Sequence, residues 1–135
     1  MDRFIYPCPL RWADADLYGH INNVVFHRYM EEARTRMFKN VTEGAEGDQR
    51  RHAFVVARSS IEHRSPLHYR DDPVNVSVGV SEVTAATFEL SYQIGDADHL
   101  YAEATTKIVA YNLHTGRPRR LSDSELAFLA SYSRR

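Results

Sequence analysis

The sequence contains little cysteine and no long hydrophobic run. Cys8 is the single cysteine among 135 residues, so no disulfide can form within the chain, and a reducing, cytoplasmic location is predicted. No stretch reaches the ~18 consecutive apolar residues of a membrane span. Two prolines interrupt the N-terminal segment MDRFIYPCPL before the hydrophobic region of a signal peptide could form. We therefore expect neither export nor a membrane partner.

A large charge imbalance is also absent. The chain has 17 Lys and Arg residues against 18 Asp and Glu residues, for a formal net charge of -1. Such a balance provides no general attraction to a polyanion, so nucleic acid is not expected as a partner. The length and the 43% hydrophobic content are those of one globular domain with its own core, which excludes a two-domain enzyme. A single domain over residues 1–135 is predicted.

Several common catalytic motifs are missing. The sequence has no G-x-S-x-G elbow, no G-x-G-x-x-G fingerprint, no P-loop and no H-E-x-x-H pair, and its histidines lack metal-ligand spacing. Asp14 and Asp16 begin like a calcium-binding loop, but Tyr18 and Val25 stand where later oxygen ligands would be needed. Asp14 is therefore expected to be structural and to bond loop amides. No metal or redox cofactor is predicted.

Hydrophobic periodicity predicts one long helix among several strands. The alternating residues from Phe4 to Trp12 indicate a strand, and Pro7 and Pro9 remove amide donors from one side of it, which predicts a sheet edge. Apolar residues at three- and four-residue spacing predict a helix from about Asn23 to Lys39. Four further strands are expected to pair in succession as an antiparallel meander, from Ala53 to Arg64, Val74 to Val83, Ala86 to Ile94 and Leu100 to Leu113.

The C-terminal segment predicts a second, short helix. Ser122 and Glu125 have the spacing of a capping box at its start. The order of elements is then strand, long helix, four strands and short helix. This order predicts an α+β fold, in which a five-stranded antiparallel sheet is wrapped around one long central helix.

The loop before the long helix carries the candidate catalytic groups. Gly19 allows a sharp turn between Asp16 and the helix, so that a carboxylate could face the free amides of the helix N-terminus. Those amides and the helix dipole would stabilise an oxyanion that forms on a substrate carbonyl. The carboxylate could attack the carbonyl directly or deprotonate water. A thiolate leaving group, with a thiol pKa near ~8.5, needs little acid assistance, so thioesters suit this site better than amides.

The run RWADADLYGHINNVVFHRYMEEAR, residues 11–34, resembles the hotdog-fold thioesterases of the 4-hydroxybenzoyl-CoA thioesterase-like group. These proteins have an aspartate, then a Gly-His-Val/Ile-Asn-Asn turn, then the central helix. The stretch SPLHYRDDPV, residues 65–74, resembles the connection between their second and third strands. The resemblance covers nearly the whole chain and implies a hotdog fold and acyl-CoA thioesterase activity. It also implies a homodimer or homotetramer with sites built from both subunits, joined at the strand over residues 53–64.

The resemblance also assigns roles to single residues. Asp16 matches the catalytic carboxylate, and the backbone N–H of Asn23 matches the donor that polarises the thioester carbonyl. His20 matches a position of variable role, so it could orient Asp16, contact the acyl carbonyl or hold the turn. We expect the remaining substrate contacts from loop residues around this motif and from two basic residues that could meet coenzyme A phosphates or remain solvated: Tyr18, Gly19, Asn22, Arg64 and Arg70.

Two alternatives to acyl-CoA hydrolysis are open. The first is hydrolysis of a thioester carried by an acyl carrier protein (ACP). Plant acyl-ACP thioesterases, which share the His-x-Asn-Asn portion, have an asparagine where this chain has Tyr18, which disfavours an acyl carrier protein as the carrier. The 4-hydroxybenzoyl-CoA enzyme has an apolar residue in place of His20, which disfavours that substrate. The other alternative is a hotdog module that binds an acyl thioester without cleaving it, because a fold does not dictate a function.

Overall fold

The computed structural model describes residues 3–44 and 49–133. A short 3-10 turn at Trp12–Asp14 precedes the long helix, and another at Gln49–His52 follows it. The regular elements are β1 Phe4–Cys8, α1 Val25–Gly44, β2 Ala53–His63, β3 Val74–Ser81, β4 Thr87–Gly95, β5 Leu100–Asn112, β6 Arg117–Pro118 and α2 Asp123–Ala130. One long helix, an antiparallel sheet and a short C-terminal helix confirm the predicted α+β class.

The strands form one antiparallel sheet in the order β1-β3-β4-β5-β2. The two-residue strand β6 pairs with the end of β5 and adds a sixth strand to the five that were predicted. The prediction that β2 joins a simple meander is wrong, because β1 occupies the free side of β3 and β2 pairs with β5 instead. The meander is limited to β3, β4 and β5. As a result β1 and β2 are the two edges of the sheet.

Alternating apolar residues place the core between the sheet and α1. Every second side chain of the central strands is buried, and the helix buries a stripe at three- and four-residue spacing. Each fully buried large apolar side chain contributes about 1.5–3 kcal/mol relative to exposure. The buried residues include Val74, Val76, Val78 and Val80 in β3, Phe88, Leu90, Tyr92 and Ile94 in β4, and Phe26, Tyr29, Met30, Ala33, Met37 and Phe38 in α1.

Two element boundaries differ from the prediction by more than two residues. β1 ends at Cys8 rather than Trp12, because Pro9 has no N–H to donate and the chain then turns into the 3-10 segment. The helix continues past Lys39 to Gly44, because no proline interrupts it and glycine is the first residue of very low helix propensity. The prolines of β1 correctly predict an edge strand.

The capping box at α2 is confirmed and is joined to a buried ion pair. Ser122 Oγ accepts the Glu125 N–H at 3.2 Å, and Glu125 Oε1 accepts the Ser122 N–H at 2.9 Å. Arg119 forms two parallel bonds to the Glu125 carboxylate, at 2.8 and 3.1 Å. It also donates to the carbonyls of Ala53 and Tyr111, so it fixes the short helix against β2 and β5.

We predict that the Arg119–Glu125 ion pair makes the free energy of unfolding depend on pH. Burial alone would raise the pKa of Glu125, but hydrogen bonds from Arg119 and Ser122 outweigh burial and lower the pKa below its ordinary value. The ionised pair therefore stabilises the fold above the ordinary carboxyl pKa of ~4.3, and its contribution is lost as the pH falls through the lowered value. At neutral pH, Glu125→Gln is expected to lower the free energy of unfolding by about 3 kcal/mol, measured by urea denaturation.

The difference between wild type and Glu125→Gln should shrink as the pH is lowered below about 4, because wild-type Glu125 then also becomes neutral. Glu62→Gln, an exposed substitution on β2, serves as the control and should change stability little at either pH. A difference for Glu125→Gln that stays constant down to acid pH would contradict the assignment.

Candidate functional site

A closed turn at residues 16–20, here called the Asp16 turn, presents the candidate carboxylate. The Asp16 N–H donates to the His20 carbonyl at 2.7 Å, and the Gly19 N–H donates to the Asp16 carbonyl at 3.1 Å. Gly19 has a φ of 79°, in the left-handed region that glycine adopts without strain. Asp16 Oδ1 accepts the backbone N–H groups of Tyr18 at 2.8 Å and His20 at 3.1 Å. The sharp turn expected at Gly19 is therefore present.

The Asp16 carboxylate is exposed, and its own turn bonds only one of its two oxygens. Oδ1 is held by two amides, whereas Oδ2 accepts no hydrogen bond from any residue that the structure describes. These two donors fix the orientation of Oδ1. Within residues 3–44 and 49–133 the carboxylate makes no contact with the helix amides, so a bound group would have to connect the two.

The start of α1 leaves one candidate donor. Asn22 caps the helix, because its Oδ1 accepts the Val24 N–H at 3.0 Å and its carbonyl accepts the Val25 N–H at 2.9 Å. The carbonyl of Asn23 accepts the Phe26 N–H at 3.3 Å. The Asn23 N–H itself has no acceptor in the part of the chain that the structure describes. This amide lies at the positive end of the helix dipole, where it can polarise a carbonyl.

A buried carboxylate, Asp14, joins the Asp16 turn to the helix. From α1, Arg28 donates to Asp14 Oδ1 and Tyr29 Oη donates to Oδ2 at 3.1 Å, while Arg11 donates to Oδ1 at 3.0 Å. The Asp14 carbonyl accepts the Asn22 N–H at 3.0 Å. Burial alone would raise the pKa of Asp14, but these side-chain donors outweigh it and lower the pKa. Asp14 is structural as expected, although its carboxylate bonds side chains rather than loop amides.

The connection between β2 and β3 packs against the Asp16 turn. The Tyr69 N–H donates to the Gly19 carbonyl at 3.0 Å, and the rings of His20 and His68 meet edge to face at 4.5 Å. The two segments that carried the family resemblance are therefore neighbours in space. No sequence pattern singled out His68, because its contact depends on how the connection folds back.

The structure places Arg64 and Arg70 in ion pairs away from this group. Arg64 lies 3.1 Å from Glu62 and 3.4 Å from Glu103, and its side chain is about half exposed. Arg70 forms bonds of 2.9 and 2.6 Å to the carboxylate of Asp96. Asp16 and His20 belong to one turn, and Asn22 is bonded to Asp14 beside that turn, whereas these two arginines have their contacts elsewhere.

A groove between α1 and β2 begins beside the candidate donor. Its volume is about 480 Å³, and an adjoining cavity of about 290 Å³ shares Arg34 and Val56 with it. The helix and β2 run antiparallel, as ring contacts of 5.0 Å between Phe26 and His63 and of 5.2 Å between Phe38 and Phe54 show. The lining of the first groove includes Val24, Val25, Met30, Arg34, Ser59 and Thr106.

The cysteine and the acidic and histidine side chains offer no second reactive centre in the described part of the chain. Cys8 is buried, and burial together with the neighbouring Glu32 raises the pKa of its thiol to about 12, so it is not a nucleophile at neutral pH. Among residues 3–44 and 49–133 no three His, Cys, Asp or Glu side chains are grouped to hold a metal ion. Neither helix, within the same residues, is long and apolar enough to cross a membrane.

Comparison with known proteins identifies relatives of this chain. A family model described as "Thioesterase-like superfamily" matches residues 10–129. A protein of Aquifex aeolicus named "Putative esterase" is 29% identical over 107 residues, which are 77% of this chain and 81% of that protein. A thioesterase from Thermus thermophilus, complexed with coenzyme A and Zn, has a TM-score of 0.78 and 27% identity, covering 95% of this chain and 93% of its own.

The hotdog arrangement is confirmed by these relatives and by a further solved structure. The structure of a predicted thioesterase from Bacillus stearothermophilus has a TM-score of 0.86, covering 97% of this chain and 96% of its own. Its identity of 24% makes this a likeness of fold alone.

We predict that the two neighbouring aspartates differ in their effect on stability. Asp14→Ala removes a buried acceptor from Tyr29 and from two arginines, and should lower the free energy of unfolding by about 2–4 kcal/mol. Asp16→Ala removes an exposed acceptor from two turn amides and should cost no more than about 1 kcal/mol. Urea denaturation monitored by circular dichroism measures both values. Equal losses would show that Asp14 does not hold the turn to the helix.

Proposed function

The chain belongs to the thioesterase-like superfamily, and we propose that it hydrolyses an acyl-CoA thioester to a free acid and coenzyme A. One observation carries the proposal. Asp16, an exposed carboxylate with an unbonded oxygen, lies two residues after the buried Asp14, and the Asn23 amide, which has no acceptor in the described residues, follows Asn22, whose N–H donates to the Asp14 carbonyl. This pairing is what acyl transfer needs, because one group polarises the carbonyl and the other attacks it or activates water.

The Asn23 N–H is the proposed donor to the thioester carbonyl. Negative charge develops on the carbonyl oxygen as the tetrahedral intermediate forms, and the amide meets that charge at the positive end of α1. A donor of this kind contributes about 10²–10³ in rate in known acyl-transfer sites. Asn22 supports it by occupying the neighbouring amides of Val24 and Val25, which keeps the helix start in one conformation.

Asp16 is the proposed nucleophile or general base. As a base, it takes a proton from water while the water oxygen bonds to the carbonyl carbon, and the carbon–sulfur bond then breaks to release the coenzyme A thiolate. As a nucleophile, it bonds to the carbonyl carbon, expels the thiolate, and leaves an anhydride that water opens to the free acid. Oδ2 is the oxygen that the turn leaves available for either route.

The other residues of the Asp16 turn have supporting roles in the proposal. His20 closes the turn through its backbone, and its ring is held against His68, from where it could contact the acyl carbonyl. Tyr18 is 77% exposed and offers an aromatic surface to the pantetheine arm. Gly19 has open space where a Cβ would stand, so the thioester can approach the turn closely.

Arg64 and Arg70 are proposed to bind coenzyme A phosphates. Arg64 is the more available of the two, because its acidic partners lie at 3.1 and 3.4 Å and all three side chains are substantially exposed. Arg70 would have to break two hydrogen bonds to the Asp96 carboxylate before it could bind a phosphate. The Thermus thermophilus thioesterase with bound coenzyme A supports coenzyme A as the carrier. The single cysteine, buried in β1, supports the proposed cytoplasmic location.

Self-association along β2 is also part of the proposal. This strand pairs with β5 on one side, and no strand of the described residues pairs with its other side. Eleven residues of unpaired edge would be an aggregation hazard unless covered, and a second copy of the same strand is a matched cover. Such a pairing would place partner residues beside the groove between α1 and β2.

Light scattering after size exclusion is expected to give a dimer or tetramer, and an active monomer would contradict this arrangement.

We predict that Asp16→Asn removes activity without unfolding the protein. Asparagine keeps an oxygen that can accept the Tyr18 and His20 amides, so the turn should persist, but it lacks the negative charge. Release of thiol from a panel of acyl-CoAs should fall by a factor of about 10² or more, whereas the urea midpoint should change little. A colorimetric thiol assay and a denaturation curve measure the two quantities.

Asp98→Asn, an exposed substitution in the β4–β5 turn, is the matched control and should retain full activity. Unchanged thiol release by Asp16→Asn would refute the catalytic role of Asp16. Saturable binding of acyl-CoA by the wild type, with no thiol release at any chain length, would identify a binding module instead of an enzyme.

A further inference from the structure

We propose that the preferred acyl group carries an uncharged oxygen acceptor, a hydroxyl or a carbonyl, far from the thioester, and that Arg34 binds it. This inference rests on the proposed function, because it names the substrate class of the same site. Arg34 lines both the groove beside the helix start and the adjoining cavity toward Phe38 and Phe54. An acyl chain that leaves the Asn23 amide along this groove must pass its guanidinium.

Arg34 differs from six other arginines of the chain, which each form an ion pair with a carboxylate. Its side chain is partly buried, and within the described residues no carboxylate lies within ion-pair distance of it. A half-buried guanidinium without a carboxylate has hydrogen-bonding capacity left for a ligand. By contrast, carboxylate partners are present for Arg11, Arg28, Arg58, Arg64, Arg70 and Arg119.

A buried hydroxyl pair fixes the position of Arg34. Its Nη1 donates to Tyr92 Oη at 3.0 Å, and Tyr92 Oη lies 2.9 Å from Thr106 Oγ1. Because a guanidinium can only donate, Tyr92 accepts from Arg34 and its own proton is free to go to Thr106. Tyr92 and Thr106 are 1% and 2% exposed, respectively, so this support belongs to the core. Arg34 is therefore a held donor at the wall of the groove rather than a freely moving surface charge.

The carboxylate of Glu31 is the reason why an uncharged ligand group is expected. It lies one helical turn before Arg34 and lines the same groove, and no ion pair joins the two among the described residues. A carboxylate on the acyl chain would be attracted by Arg34 but repelled by Glu31. A hydroxyl can accept from Arg34 and donate to Glu31, and a carbonyl can accept from Arg34 without meeting a like charge.

Helix geometry gives the approximate position of the group on the chain. A rise of ~1.5 Å per residue places the backbone of Arg34 about 16 Å from that of Asn23, and helical side chains lean back toward the N-terminus. An extended chain advances about 1.2 Å per bond, so the acceptor should lie roughly eight to twelve bonds from the thioester carbonyl. A short aromatic acyl group would not reach Arg34.

The test compares three straight-chain acyl-CoAs of equal length, with a terminal methyl, hydroxyl or carboxylate group. The wild type should have a kcat/KM for the hydroxyl substrate about 10–100-fold above that for the methyl substrate. Arg34→Met, which keeps the length and loses the donors, should abolish this preference, so that the ratio of kcat/KM between the hydroxyl and methyl substrates falls to about one. Arg36→Met, on the side of α1 that faces Tyr6, is the matched control and should keep the preference.

Binding measurements separate this inference from the proposed function. Thioether analogues of the same three acyl-CoAs cannot be hydrolysed, and calorimetry gives their Kd with wild type and with Arg34→Met. A hydroxyl preference in Kd that Arg34→Met removes supports the inference even if no substrate is cleaved. If Arg34→Met fails to fold, Arg34→Leu, which also lacks a donor, is measured in the same way. The inference is overturned by a wild type that prefers methyl or carboxylate, or by a hydroxyl preference that survives the substitution.

A second overturning result concerns self-association. If Arg34→Met changes the oligomeric state and leaves the ratio between hydroxyl and methyl substrates unchanged, Arg34 pairs with a second copy of the chain and does not read the acyl group. Absence of thiol release by the wild type from all three substrates and from the acyl-CoA panel would refute the proposed function alone, since the Kd values still decide the inference.

Discussion

The buried carboxylate of Asp14 is the interaction on which the candidate site depends. It accepts bonds from Arg28 and Tyr29 of α1, and the Asp14 carbonyl holds the Asn22 amide. A carboxylate that is 2% exposed is tolerated only while such donors compensate its lost hydration. The loop therefore cannot separate from the helix without leaving an uncompensated charge and an unbonded Tyr29 hydroxyl. A core interaction, rather than the loop itself, fixes the Asp16 turn relative to the helix start.

Two aspartates only two residues apart consequently have opposite environments. Asp14 is surrounded by side-chain donors and is committed to structure, whereas Asp16 is exposed and shares one oxygen with two backbone amides. Because Asp14 provides the rigidity, Asp16 is not needed to hold the loop and its second oxygen stays available. The proposed function requires such a division between a fixed carboxylate and an available one.

The features that could be predicted from the sequence are those that depend on neighbouring residues. The alternation of β3, the capping box at Ser122 and the glycine turn at Gly19 are local patterns, and the structure contains each of them. The partner of β2 was mispredicted, because periodicity shows which face of a strand is buried but not which strand lies beside it. The helix partners of Asp14 and the groove at Arg34 were missed for the same reason, since both depend on tertiary packing.

The position of β2 at the far edge of the sheet has a functional consequence. It lies antiparallel to α1, so the groove between them starts at the helix amide and follows the helix toward Phe38 and Phe54. In the proposed function, α1 and the two residues before it thus carry both the carbonyl donor and side chains that line the groove. The helical rise of ~1.5 Å per residue converts a position in the sequence into a distance from the reacting carbon. If the proposed function is correct, substitutions along that face of α1 should change the accepted acyl group while the backbone at Asn23 keeps its position.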